Sequence, residues 1–173
     1  LEAGLFRTGL GQDIYTQELV PNGHYHHIDV INQVRAYGSI SDFIKQFHIE
    51  DGIMRACVSK DIPFVLSGSI RDDGPLPEVI SDVYKAQDAM RGLVRRATTI
   101  ICLATQLHTI AIGNMTPSYR VTEKGVRPLY FYTVDTSEFA VNKLRDRGSL
   151  SVTGLIANAQ DFLRHVARGV KAL

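Results

Sequence analysis

The stretch Thr99-Ile-Ile-Cys-Leu-Ala-Thr-Gln-Leu-His108 joins a continuous apolar run to a polar segment. The apolar part predicts a strand over Thr99–Ala104 that is buried on both faces, as in a parallel sheet covered by helices. The residues that follow, His108–Met115, predict a short helix that is broken by Pro117. A strand followed directly by a helix is typical of an α/β fold.

The same alternation of short apolar runs and amphipathic segments continues on both sides of this stretch. Runs that predict further strands are Pro63–Ser67, Leu129–Val134 and Ser151–Ile156, and Met54–Val58 is a candidate for another. Segments that predict helices are Glu78–Arg96, Ser137–Arg147 and Gln160–Val170. Strands separated by helices predict a mostly parallel sheet with flanking helices, and ligands bind such sheets at the carboxyl ends of the strands.

Composition excludes several other classes of protein. The chain has 173 residues, of which 45% are hydrophobic and 21% charged, as expected for one globular domain or slightly more. The formal charge of +1 creates no field that favours nucleic acid, and no apolar run approaches the roughly 20 residues that span a bilayer. Cys57 and Cys102 lie in apolar runs, which indicates reduced thiols and a cytoplasmic protein.

The start of the chain and its composition suggest how it is organised. The first residue is Leu1, and no signal peptide follows it. We therefore expect a chain without its natural start, which is a fragment or one domain of a longer enzyme. Residues 1–50 are rich in Gly, His and Tyr, whereas the alternating pattern occupies residues 51–173.

Polar clusters follow the predicted strands. Arg71, Asp72 and Asp73 come after the first of these strands and form either a polar turn or a site for a sugar or a charged substrate. Thr105 and His108 follow Thr99–Ala104, where a ligand is expected. A single histidine more often has a structural role, but the position of His108 after a strand favours contact with a bound ligand.

Two further strands also end in residues that could serve a ligand. Asp135 follows Leu129–Val134, where it could hold the ribose hydroxyls of an adenine dinucleotide or cap a helix. Thr136 or Ser137 could supply that cap instead. Asn158 follows Ser151–Ile156 and could both cap the last helix and face a ligand. The chain nevertheless contains no Gly-x-Gly-x-x-Gly fingerprint; Gly9-Leu-Gly11 is the nearest match and follows no convincing strand.

A histidine cluster occupies Pro21-Asn-Gly-His-Tyr-His-His-Ile-Asp29. Three imidazoles could bind a metal ion if Asp13, Glu18 or Asp29 completed the site. Alternatively, His24 and His27 could cap a helix over Ile28–Tyr37 or contact an anionic substrate. The chemistry considered below needs no metal, so the expectation is a metal-free cluster on the substrate side.

Several segments together resemble one known family. They are Asn22–Asn32, Ser67–Glu78, Ala104–Met115, Val134–Asp135 and Lys143–Ser149. They are similar to the C-terminal region shared by archaeal-type ornithine cyclodeaminases and the cyanobacterial arginine dihydrolase/ornithine cyclodeaminase proteins, also called the LOR/SDH bifunctional enzyme conserved region. The resemblance covers nearly the whole chain.

The resemblance implies a Rossmann-like α/β domain that binds NAD, with a sheet related to that of deoxyhypusine synthase. It implies conversion of L-ornithine to L-proline and ammonia: NAD takes a hydride from the α-carbon, the δ-amino group attacks the imine, ammonia leaves, and the hydride returns. The residues that the resemblance implies for the NAD site are Asp73, Thr105, Leu107, His108, Asp135, Asn158 and Ala159.

Candidate substrate residues are inferred from charge and not from the family. Arg71 could pair with the α-carboxylate and Asp72 with an ammonium group, while His24 or His27 could transfer a proton to the departing ammonia. Asp72, His24 and His27 are thus the catalytic candidates. Arg71, His26 and Asn32 are the substrate-binding candidates.

Two departures from the family bear on these expectations. Family members carry a strand-helix segment and an N-terminal domain before the counterpart of Leu1, which we do not expect in this chain, and Ser118–Pro128 is expected to be an insertion. We therefore expect residues 1–50 to be a substrate-side segment, residues 51–173 to be the NAD-binding domain, and the protein to form a homo-oligomer or to assemble with the N-terminal portion. Two alternatives stay open: a nucleotide-binding module without catalysis, and an NAD-linked amino-acid dehydrogenase similar to saccharopine dehydrogenase.

Overall fold

The computed structural model describes residues 16, 18–19, 21–68, 74, 76–145 and 151–172, without the side chains of residues 23, 24, 26 and 27. The chain divides into two compact units between Gln87 and Asp88. No helix in the described ranges is long and apolar enough to cross a membrane.

Three helices build the core of the first unit: α1 (Gly23–Tyr37), α2 (Ile40–Gln46) and α3 (Ile53–Ser59). Helix α1 ends at Gly38, whose φ of 75° places it in the left-handed region that favours glycine. The sharp turn after Gly38 brings α2 back against α1. The buried side chains that form the shared core are Val34, Ile40, Phe43, Ile44 and Met54.

A short parallel pair of strands also belongs to the first unit. Strand β1 (Leu66–Ser67) pairs with β2 (Val79–Ile80) in the register Leu66 to Val79. Just before β2, the Glu78 carboxylate accepts a hydrogen bond of 2.7 Å from the backbone N–H of Ile40. This bond satisfies an N–H group at the start of α2, which has no acceptor within its own helix.

Three predictions for the first unit need correction. Met54–Val58 is helix and not strand, since Met54 and Val58 are spaced i, i+4 and both pack on the core. The strand predicted over Pro63–Ser67 is limited to Leu66–Ser67. The helix predicted from Glu78 begins only after β2, because Asp82 accepts a hydrogen bond of 3.0 Å from the Lys85 N–H and so caps the helix.

The second unit alternates strands and helices. Helix α4 (Val83–Val94) crosses the division between the two units. The elements that follow it are β3 (Thr99–Leu103), α5 (Leu107–Met115), β4 (Tyr119–Thr122), β5 (Gly125–Pro128), β6 (Tyr130–Asp135), α6 (Glu138–Arg145), β7 (Val152–Ile156) and α7 (Ala159–Lys171). Strands β3, β6 and β7 form a parallel sheet in the order β3-β6-β7. Strands β4 and β5 form an antiparallel hairpin, which is the segment expected to be an insertion.

The central strand β6 and helix α6 supply the core of this unit. Phe131, Thr133 and Val134 of β6 are each about 1% exposed, and Leu129 just before the strand is fully buried. Helix α6 packs on the sheet through Ala140, Val141 and Leu144. Gly154 of β7 lies so close to Val141 that a Cβ atom there would be 2.4 Å from the valine Cγ1.

The parallel sheet confirms the predicted fold class, with one correction at its edge. Strand β3 was expected to be buried on both faces, but its Ile101 side chain is 42% exposed. Among the described residues β3 pairs only with β6, so it lies at an edge of the sheet. Both cysteines are free; Cys102 is buried and Cys57 half-buried.

Candidate functional site

The carboxyl ends of the three parallel strands lie side by side and form the candidate site. Leu103 of β3 pairs with Val134, and the next residue, Ala104, donates a backbone hydrogen bond of 2.8 Å to the Val134 carbonyl. On the other side, Asp135 pairs with Ile156, and the Ala157 N–H donates a bond of 3.0 Å to the Asp135 carbonyl. Asp135 therefore lies between the turn that follows β3 and the turn that follows β7.

The carboxylate of Asp135 is only partly used by the protein. Its Oδ1 atom accepts a hydrogen bond of 2.9 Å from the Ser137 N–H. The Ser137 hydroxyl in turn caps α6 by accepting a bond of 3.3 Å from the Ala140 N–H. No described residue donates to Oδ2 of this half-buried carboxylate. Because Ser137 supplies the cap, Asp135 keeps acceptor capacity for a ligand.

The turn between β3 and α5 leaves backbone donors open. Ala104 has a φ of 52°, the left-handed region that costs a non-glycine residue strain. The buried Thr109 hydroxyl donates to the Thr105 carbonyl and thereby holds the first turn of α5. Gln106 occupies the N-cap position, yet its side chain makes no capping hydrogen bond. The first N–H groups of α5 have no acceptor within the helix, so they can bind an anion.

Asn158 caps the helix that follows β7. Its Oδ1 atom accepts hydrogen bonds from the N–H groups of Gln160 at 2.9 Å and Asp161 at 3.4 Å. The capping role predicted from the sequence is therefore confirmed. The Nδ2 group of this exposed side chain donates to no described residue, so it can still face a ligand. Ala159 is the first residue of α7 and is half-buried.

The three helices that follow the sheet strands differ at their N-termini. Ser137 caps α6 and Asn158 caps α7, whereas α5 has no side-chain cap. This difference between the helices was not predicted from the sequence. A signal was present, because Gln106 precedes α5 where Ser, Thr, Asp or Asn is usual.

Side chains beside this turn are apolar as well as polar. Leu107 is 56% exposed at the start of α5, and His108 is half-buried in the same turn. Burial raises the pKa of the Cys102 thiol, and a hydrogen bond with Thr109 offsets part of that rise. A buried thiol with a raised pKa is a poor nucleophile, so Cys102 acts in packing.

Several predicted site residues are not placed by the structure. Arg71, Asp72 and Asp73 lie outside the described residues, so their roles stay predictions. His24, His26, His27 and Asn32 all belong to α1, where Asn32 is exposed and the histidine side chains are outside the described set.

The helix bounds correct one interpretation of the histidine cluster. Capping by His24 and His27 of a helix over Ile28–Tyr37 is wrong, because α1 begins at Gly23 and contains both residues. Among the described side chains, no group of three or more His, Cys, Asp or Glu could hold a metal ion.

Comparison with known proteins agrees with this architecture. The family "Arginine dihydrolase ArgZ-like, C-terminal, Rossmann fold" matches residues 1–166. Ornithine cyclodeaminase of Methanopyrus kandleri is 41% identical over 171 residues, which are 99% of this chain and 39% of that protein. The chain thus spans about two fifths of the length of this relative.

Two crystal structures are similar over 99% of the chain. A conserved LOR/SDH protein from Methanococcus maripaludis S2 has a TM-score of 0.84 and 37% identity, with 48% of its chain covered. AgrE in a ternary complex with ornithine and NAD+ has a TM-score of 0.83 and 36% identity, with 24% of its chain covered. The Rossmann fold predicted from the sequence is confirmed.

Proposed function

Because the chain belongs to the family of ArgZ-like C-terminal Rossmann-fold domains, we propose that it holds the NAD of an ornithine cyclodeaminase. The observation that carries the proposal is the partly satisfied carboxylate of Asp135 at the end of the central strand. The chain spans 39% of the length of the M. kandleri ornithine cyclodeaminase. Cofactor binding is therefore proposed for this chain, and the conversion of ornithine for the protein as a whole.

The strand ends offer the groups that a dinucleotide requires. Adenosine ribose hydroxyls donate hydrogen bonds, and Asp135 has an open carboxylate oxygen at the position used for ribose in doubly wound sheets. A diphosphate needs N–H donors, and the uncapped start of α5 at Leu107 and His108 supplies them. Asn158 adds an amide donor, and Ala159 lets the backbone come close to a ligand.

Bound NAD would supply the acceptor and donor of a hydride at the substrate carbon. The chain's residues would orient it. The exposed Leu107 side chain provides an apolar surface beside the turn, and Thr105 and His108 provide polar groups. Because no residue at these strand ends has to exchange electrons, their work is binding and positioning.

Substrate roles rest on charge alone. In this proposal Arg71 binds the substrate carboxylate, Asp72 an ammonium group, and His24 or His27 transfers a proton to the leaving ammonia. His26 and Asn32 are the further binding candidates, and Asp73 is a further cofactor candidate. Assembly as a homo-oligomer or with an N-terminal portion also stays a prediction.

The experiment incubates the protein with L-ornithine and NAD and measures L-proline, ammonia and NADH together. The proposal expects proline and ammonia in equal amounts with no accumulating NADH, since the hydride returns within each turnover. NADH that accumulates in step with product would assign a net amino-acid dehydrogenase. NAD binding without any product would assign a binding module, and either result contradicts the proposed reaction.

A further inference from the structure

A cavity of about 420 Å³, open to solvent, lies on the surface of the first unit between the end of α2 and one side of α3. None of its lining residues belongs to the cofactor or substrate residues proposed above. Its volume falls within the roughly 300–1,000 Å³ that small-molecule sites occupy. Its wall has an aliphatic part and a charged part, and each part restricts what the cavity can hold.

The charged part consists of solvent-exposed side chains that form no ion pair with a described residue. Lys45 and Arg55 provide two positive charges, Glu50 provides one negative charge, and His48 lies beside them. In the described part of the chain, no ion pair forms among these side chains or with any other residue. Because these exposed charges contact no partner in the described part of the chain, they are available for charge-assisted hydrogen bonds with a ligand.

The aliphatic part is continuous with the protein core. Ile44 is 5% exposed and belongs to the core cluster, while Ile49 and Val58 are half-buried and pack against that cluster. A ligand with a short hydrocarbon body would therefore contact apolar atoms while its charged ends reach Lys45 and Arg55. A bare phosphate ion would leave this apolar wall without a partner and would face the carboxylate of Glu50.

The backbone around the cavity is held by local hydrogen bonds. The Ile49 N–H donates to the Ile44 carbonyl at 3.3 Å, and the Gly52 N–H donates to the Asp51 carboxylate at 2.7 Å. His48 adopts a φ of 50°, a strained conformation for a non-glycine residue. The turn that carries His48 and Glu50 is thus fixed between two helices.

We infer that this cavity binds a dicarboxylic amino acid such as L-glutamate. Two carboxylates match the two cations, one ammonium group matches Glu50, and the methylene groups match the aliphatic wall. The charges of such a ligand, two negative and one positive, are the opposite of those contributed by Lys45, Arg55 and Glu50. Charge-assisted hydrogen bonds of this kind also select against a basic amino acid, whose additional ammonium group would face the cations.

The test titrates L-glutamate into the 173-residue chain by calorimetry and compares three variants. Arg55→Gln is expected to weaken binding by about tenfold or more, since one charge-assisted hydrogen bond is lost. Arg35→Gln is the matched control: Arg35 is exposed on α1 and does not line the cavity, so binding should not change. Thermal melting of each variant verifies that it is folded.

The third variant tests the ammonium contact. Glutarate has the same two carboxylates as glutamate but no ammonium group, so the wild-type chain should bind it more weakly. In Glu50→Gln that preference for glutamate should disappear. The inference is overturned if L-glutamate gives no saturable heat, if Arg55→Gln binds as tightly as wild type, or if L-lysine binds as well as L-glutamate. These readouts do not involve NAD, so they stand apart from the proposed function.

Discussion

Adding one methyl group at Gly154 should destabilise the second unit through a single contact. In Gly154→Ala the new Cβ would lie 2.4 Å from Cγ1 of Val141, where ordinary contacts are 3.4–4 Å. Val141 is 4% exposed and enclosed between α6 and the sheet, so it cannot simply turn away. Overpacking of this kind lowers the free energy of unfolding by about 1–3 kcal/mol. Alanine also reduces the conformational entropy of the unfolded chain, which raises the free energy of unfolding by about 0.4–1 kcal/mol. The expected net loss is about 1–2 kcal/mol.

The assay is chemical denaturation followed by circular dichroism for a double-mutant cycle. Val141→Ala alone should cost about 1.5 kcal/mol for two lost methyl groups. Because it also removes Cγ1, adding Gly154→Ala to that variant should cost almost nothing. The coupling free energy should then be about 1 kcal/mol or more. The control is Gly169→Ala in α7, where a Cβ meets nothing within 4 Å and stability should be kept or improved. Full stability of Gly154→Ala, or two additive effects, would refute the packing argument.

Three further predictions concern single side chains. Asn158→Ala should lower the free energy of unfolding by about 1 kcal/mol through loss of the α7 cap, whereas Asn158→Asp should retain most of it, as denaturant titration would show. Glu78→Ala should cost about 1–2 kcal/mol because the Ile40 N–H loses its acceptor, and Glu78→Gln should cost less in the same titration. Burial raises the pKa of Cys102, so at a given pH less of this thiol is present as thiolate. Cys102 should therefore react with iodoacetamide more slowly than the half-buried Cys57. Equal rates of alkylation, measured by mass spectrometry, would contradict this.

The sequence predicted those elements of the fold whose signal lies within one segment. The apolar run Leu129–Val134 predicted the central strand to within one residue, and the amphipathic run Gln160–Val170 predicted α7. A short apolar run can fit the spacing of a helix as well as that of a strand, so its local pattern does not determine the secondary structure. Met54–Val58 is helical because two of its side chains reach the core from one helix face. A strand that forms by pairing with a segment distant in sequence also has no local signal. Val79–Ile80 is an example, since it pairs with Leu66–Ser67.

The candidate site was predicted from the position of residues along the chain more than from residue type. Asp135, Thr105 and Asn158 were chosen as candidates because each follows a predicted strand, and the parallel strands do bring these positions to one edge of the sheet. It could not be predicted that Ser137 caps α6 while Asp135 keeps an open carboxylate oxygen, since either residue can cap a helix. The left-handed conformation of Ala104 likewise has no signal in the sequence, because alanine seldom adopts it.

The measurement that tests the central claim most directly is a calorimetric titration of NAD into the 173-residue chain and its Asp135 variants. Asp135→Ala removes the acceptor proposed for the ribose and should weaken NAD binding about ten- to a hundredfold, as expected for one charged hydrogen bond. Asp135→Asn keeps the acceptor for the Ser137 N–H and places an amide N–H where it can donate to a ribose oxygen, so it should lose less. Asp88→Ala, whose exposed carboxylate contacts Arg91, is the control and should bind NAD as the wild type does. Unchanged NAD affinity of Asp135→Ala would contradict the claim that this edge of the sheet holds the cofactor.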